Sequence, residues 1–312
     1  MIKNLSKISI IGAGNVGATA AFMIAQERLG NVVLIDVAGN IAKAKALDMS
    51  HALAARALNN HVTAGESYKD ISDSNIVVVT AGFPRKPGMS RDDLLKANAD
   101  VISGVAKEIK KYAPGAIVIV VTNPLDVMTY LTYKVTGFSH SKVFGMAGVL
   151  DSARLADYIA KKLKAKRSDI KALVLGSHGD LMVPSFAYTK LNGKPLSELL
   201  SEKDLQELSE LTKNSGAEIV SLLGTGSAYY GPAASVFEMV KAILKDDKTT
   251  HCVCAYLHGA YGLKDVYLGV PCVLGKKGIE RVVELKLAQK ELDMLHGASK
   301  TVKEMISKLN IE

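Results

Sequence analysis

Short, nearly unbroken apolar runs recur through the first half of the chain, at residues 7–11, 31–36, 75–81, 116–122 and 142–146, and helix-forming segments separate them. Strands covered on both faces read as continuous apolar runs. Strands alternating with helices predict a parallel sheet wrapped on both sides. Ser90 with Asp93 three residues on makes a capping-box pattern, which predicts a helix from there to Tyr112, ahead of Ala113-Pro114. The pattern then changes. Residues 151–165 read as a helix, 170–176 as a strand ending at Gly176-Ser177-His178-Gly179-Asp180, and 200–222 as a helix. A small-residue loop from Gly224 to Pro232 precedes a helix at 233–245. Residues 250–257, 264–270 and 272–275 read as antiparallel strands, and a helix closes the chain. No linker, repeat or low-complexity segment divides it, so the two halves are expected to pack as one unit with a cleft between them.

The first apolar run leads into Gly12-Ala13-Gly14-Asn15-Val16-Gly17 and then a helical segment, the context that a GxGxxG dinucleotide turn requires. Gly12 permits the tight turn, Gly14 lets a pyrophosphate approach the helix N-terminus, and Gly17 lets helix and strand pack closely. The second run ends in Asp36, about 20 residues on, where a carboxylate binds the adenosine ribose hydroxyls. Asp36 repels a 2′-phosphate, and residues 37–40 hold no arginine, which favours NAD over NADP. A chance glycine turn is the bland reading; strand, helix and terminal Asp together outweigh it.

A chain of 312 residues, 48% apolar and 22% charged, suits one large or two medium globular domains. No apolar run reaches a membrane span, and the N-terminus lacks a long apolar leader, so a cytoplasmic protein is expected. Cys252, Cys254 and Cys272 are too few for a disulfide framework. His251 and His258 beside them invite a metal reading, but Cys-x-Cys on a strand is not usual zinc spacing; a reduced, partly buried strand is expected and no metal. The net charge of +8 peaks in the run Lys161 to Arg167. That run lacks the aromatic platforms of a nucleic-acid groove and fits a solvated helix C-terminus.

Two arginines, Arg85 and Arg91, ride in a stretch broken by Gly82, Pro84, Pro87 and Gly88. Two guanidinium forks on a loop suit a small substrate with two negative groups; a solvated surface loop is the alternative. Oxidising an alcohol carbon against NAD needs a base, and His178 is the best placed of the 7 histidines, after an apolar strand and among small residues. Asp151 and Arg154 lie three apart and share a helix face. Asp151 suits a tautomer-fixing partner and Arg154 a carboxylate clamp, against the plainer reading of a weak surface ion pair.

These pieces, with Ala46 to His51, Val121-Thr122-Asn123-Pro124-Leu125-Asp126 and Gly145 to Arg154, occur in an order that resembles the lactate/malate dehydrogenases over nearly the whole chain. The resemblance implies a Rossmann-type doubly wound sheet in residues 1–146 for NAD and an α+β catalytic domain in 147–312. It makes His178 the proton acceptor, Asp151 its partner, Arg154 the grip on the substrate C1 carboxylate and Arg91 the polariser of the C2 oxygen. Asn123 is implied for substrate and nicotinamide, and Val121, Thr122 and Asn98 for the cofactor. Position 85 is typically glutamine in the family's lactate enzymes and arginine in its malate enzymes. Arg85 therefore points to malate and oxaloacetate, and the chain looks like the lactate-dehydrogenase-like malate dehydrogenases of bacteria. That branch implies a cytoplasmic homo-oligomer, dimer or tetramer, of the tricarboxylic acid cycle, with no nucleic-acid or membrane partner. The competing readings are a lactate or other 2-hydroxy acid dehydrogenase, an NAD-binding protein without turnover, and a basic nucleic-acid binder.

Overall fold

The computed structural model describes residues 5–84 and 90–309, with the backbone alone for Arg91. Arg85 and the Arg91 side chain thus lie outside the described residues. The five apolar runs of the first half form parallel strands: β1 (Lys7–Ile11), β2 (Asn31–Ile35), β4 (Ile76–Val79), β5 (Ile117–Val120) and β6 (Val143–Gly145). A short β3 (Val62–Ala64) that the pattern did not announce pairs with β2 at the sheet edge. The order β3-β2-β1-β4-β5-β6 reverses direction between β1 and β4, the doubly wound arrangement whose crevice lies at the strands' C-terminal ends. Every side chain of β4 and of β5 is buried, which is why both read as solid apolar runs.

The first-half helices are α1 (Asn15–Gln26), α2 (Gly39–Ala55), α3 (Arg91–Tyr112) and α4 (Leu125–Thr136). α3 has the expected capping box: Ser90 Oγ accepts from the Asp93 N–H at 3.0 Å, and the Asp93 carboxylate reaches back to the Ser90 N–H.

The second half holds helices α5 (Gly148–Leu163), α6 (Glu202–Leu223), α7 (Tyr230–Lys245) and α8 (Gln289–Ser307). The strand expected over 170–176 is two pieces: β7 (Ile170–Lys171), in a small sheet with β10 (Lys190–Leu191) and β11 (Lys194–Pro195), and β8 (Val174–Gly176), paired with β9 (Met182–Pro184). β12 (Thr249–His258) and β13 (Lys264–Gly275) form a long antiparallel ribbon, and β14 (Gly278–Val282) pairs with β13. β13 runs unbroken through Pro271, where two strands were expected; the Pro271 carbonyl still accepts from the Val283 N–H at 2.7 Å. β12 joins β6 at Cys254 and Gly145, so one sheet runs from the first half into the second. α7 packs on α1, and α4 packs on β13. No helix among the described residues is long and apolar enough to cross a membrane.

Candidate active site and cofactor site

The glycine turn leaves the C-terminal end of β1. Gly12 has φ +107°, a conformation that favours glycine, and a Cβ there would come 2.6 Å from Thr80 Oγ1. A Cβ on Gly17 would collide with the Gly12 carbonyl oxygen and with Thr80. Gly14 differs: a Cβ there would meet nothing within 4 Å, and Gly14 and Asn15 are exposed. No side chain caps the N-terminus of α1, and its first turn carries no acid. The first N–H groups of α1 therefore face open space with the positive end of the helix dipole, which fits a pyrophosphate. Ala13 is buried and Val16 half-buried between them.

Asp36 stands at the C-terminal end of β2, half-buried. Its Oδ2 accepts from the Ala13 N–H at 2.6 Å and its Oδ1 from the Ala38 N–H at 2.8 Å. A carboxylate accepts about four hydrogen bonds, so two places remain for ribose hydroxyls. Lys45, which the sequence patterns did not single out, donates from Nζ to the Ala13 carbonyl at 2.7 Å and braces the same turn from α2. These residues fit a dinucleotide.

The next two strand ends are locked together. Thr122, buried after β5, donates from Oγ1 to the Ala81 carbonyl at 2.6 Å. Asn98 of α3 is fully buried; its Oδ1 accepts from the Phe83 N–H at 2.7 Å, and its Nδ2 donates to the Asn123 carbonyl at 2.6 Å. Asn98 thus ties the start of the arginine loop to the Asn123 loop. The Asn123 side chain is exposed and Val121 half-buried.

α5 and β8 bring the residues expected for acid–base chemistry together. The Val174 N–H of β8 donates to Ser152 Oγ of α5 at 3.0 Å, and Cys252 Sγ donates to the Val174 carbonyl at 2.9 Å. β8 ends at Gly176, whose φ of +89° turns the chain so that His178 meets α5. His178 Nδ1 lies 2.9 Å from Asp151 Oδ2. Arg154 Nη1 lies 3.4 Å from the other oxygen, Oδ1. Asp151 is 2% exposed, Arg154 14% and His178 16%, so the acid is sealed while the base and the guanidinium reach outward. The backbone of α6 at Gly216 borders Arg154: a Cβ there would come 3.5 Å from Nη2. Burial pulls the imidazole pKa down, but the charge and hydrogen bond of Asp151 outweigh it, and the net direction is up. The cysteines are all buried, and among the described residues no group of three His, Cys, Asp or Glu is arranged to hold a metal.

Residues 6–145 match the family model described as lactate/malate dehydrogenase, NAD binding domain, and residues 148–311 its alpha/beta C-terminal domain. The chain belongs to the lactate/malate dehydrogenase family. It is 49% identical over 305 residues to the malate dehydrogenase of Methanosarcina mazei, covering 98% of this chain and 99% of that one. The crystal structure of Cryptosporidium parvum malate dehydrogenase superposes with a TM-score of 0.95 at 39% identity, over 98% of this chain and 99% of that one. The lactate dehydrogenase from the same organism, complexed with lactic acid and nicotinamide adenine dinucleotide, also reaches 0.95, at 38% identity over 100% of both chains. Members acting on different substrates thus share this backbone, and the substrate is decided by side chains.

Proposed function

We propose that the chain is an NAD-dependent malate dehydrogenase that interconverts (S)-malate and oxaloacetate, with residues 1–146 holding the cofactor and 147–312 most of the chemistry. The observation that carries the dehydrogenase reading is the His178–Asp151 pair at 2.9 Å with Arg154 on the same helix, and the arginine at position 85 carries the choice of malate. NAD, when bound, supplies the hydride acceptor. Gly12 to Gly17 receive its pyrophosphate, Asp36 the adenosine ribose, and Val121, Thr122, Asn123 and Asn98 the nicotinamide side.

Asp151 accepts from Nδ1–H and so leaves the Nε2 lone pair of His178 free to take the malate hydroxyl proton. The same carboxylate stabilises the imidazolium that results. Arg154 grips the C1 carboxylate with its planar fork, while Arg91 polarises the C2 oxygen. Asn123 orients the substrate. Arg85 pairs with the second carboxylate, the group that separates oxaloacetate from pyruvate.

We further infer a homo-oligomer, dimer or tetramer, working in the cytoplasm within the tricarboxylic acid cycle. α2 supports the oligomer: only Ala42, Ala46 and Leu53 of its 17 residues are buried, and Ile41 and Leu47 along it, with Val37 just before it, are exposed. Oxaloacetate and pyruvate assayed side by side with NADH test the substrate. Oxaloacetate is expected to be preferred by at least about two orders of magnitude, the size of effect a stranded arginine charge produces. Equal or greater use of pyruvate would replace this reading with the lactate one.

A further inference from the structure

Behind His178 lies a second buried carboxylate. Asp126 sits in the first turn of α4, two residues after Pro124, and is 3% exposed. Its Oδ2 accepts from Ser177 Oγ at 2.6 Å and from the His178 N–H at 3.2 Å. Its Oδ1 accepts from Cys254 Sγ of β12 at 3.1 Å. No lysine or arginine pairs with it among the described residues. A buried carboxylate without a cation is costly, and an apolar side chain of similar size would be the cheaper way to fill that space.

What Asp126 holds explains the cost. Its three donors come from two elements beyond its own: the end of β8, which carries the base, and β12, which crosses both halves. Asp126 itself follows Asn123 by three residues. One side chain therefore ties the loop that faces the nicotinamide to the backbone that carries the imidazole.

We propose that Asp126 is a positioning residue for the acid–base step: by holding Ser177 and the His178 backbone N–H, it keeps the imidazole in line with Asp151 on one side and the substrate on the other. This rests on His178 being the proton acceptor. Among the described residues, the charged groups facing His178 are Asp151 and Arg154 of α5 and Asp126 of α4, with the Cys254 thiol of β12 behind. Burial pushes the Asp126 carboxyl up against the pull of its three hydrogen bonds; in its ionised form it is a second negative charge beside the imidazolium and adds to Asp151 in favouring the protonated ring.

Asp126→Asn, Ser177→Ala and His178→Asn, made in the full-length chain, test this. Asp126→Asn keeps the shape but removes the charge and sets an NH2 against donors. Oxaloacetate reduction should lose about ten- to a hundredfold in kcat, as misplaced catalytic groups do, with KM and NADH affinity within about twofold. The alkaline limb of its kcat/KM profile should also move to lower pH. Ser177→Ala removes one donor and leaves the charge, so kcat should fall by less and the profile should stay. If Asp126→Asn does not fold, the kcat loss in a folded Ser177→Ala carries the test. Folded variants with wild-type kcat and an unmoved profile would overturn the inference. An inert His178→Asn beside an unaffected Asp126→Asn would overturn this proposal alone. A fully active His178→Asn would overturn the proton-acceptor reading and this inference with it.

Discussion

His178 has its Nδ1 taken by Asp151, and on the proposed mechanism its protonation state selects which direction of the reaction it assists. Its pKa is raised above the ordinary value of about 6.5. Reduction of oxaloacetate needs the imidazolium, so its rate should hold on the acid side and fall as pH rises through the raised pKa. Malate oxidation needs the neutral ring and should climb over the same window. His178→Asn should keep NADH affinity while turnover drops by about 10²–10⁴ and both pH limbs vanish. Fluorescence titration and steady-state rates would show this, and near-normal turnover would mean another group moves the proton. Arg85→Gln tests the substrate reading. It should swing the oxaloacetate-to-pyruvate ratio by at least about two orders of magnitude, mostly through lost oxaloacetate activity. Arg91→Gln, acting on the oxygen common to both substrates, should depress both. An unchanged ratio in Arg85→Gln would remove Arg85 from the substrate. Glycine spacing, a terminal Asp and a histidine after an apolar run were legible in the sequence because each follows from a local constraint. Asp126 and Lys45 were not, because their partners, Ser177, Cys254 and Ala13, are brought to them only by the tertiary fold.

At the scale of elements, α1 depends on one close approach. Gly17→Ala would press a methyl against the Gly12 carbonyl and Thr80, and forcing extra atoms into packed sites typically costs about 1–3 kcal/mol. The relief available is to lift α1 off β1, which spoils the pyrophosphate cradle. NADH affinity should fall by about five- to a hundredfold if a cost of that size is borne on binding, and the thermal midpoint should drop. Wild-type affinity by calorimetry would place the cofactor elsewhere. The parallel strands were legible because burial on both faces leaves solid apolar runs. α4 was not. Its segment Leu125–Thr136 is rich in Thr, Tyr and Val, poor helix formers, and it is buried nearly all round, so no stripe marks it. Its threonines accommodate that burial by bonding back along the helix: Thr129 Oγ1 to the Leu125 carbonyl and Thr132 Oγ1 to the Met128 carbonyl, each at 2.7 Å. The extent of α2 was hidden for the opposite reason, with so few buried positions that the period is weak.

For the whole molecule, the apolar side chains along α2 predict association. Sedimentation at micromolar concentration should give a dimer or tetramer, and Leu47→Asp should shift it toward smaller species. A monomer throughout would reject the oligomer. The ribbon of β12 and β13 has a different bearing, on how the chain is made. It closes the edge of β6 through Cys254, and β13 and α7 cover α4 and α1. A growing chain that has just finished β6 therefore has a cofactor half with a bare strand edge and two uncovered helix faces. Roughly a hundred more residues must emerge before the latch arrives, which at about 5–20 residues per second is on the order of ten seconds. An open edge beside apolar surface is a template for pairing with a stranger. The first half of this enzyme is thus most vulnerable before its second half exists, and chaperones have those seconds in which to guard it.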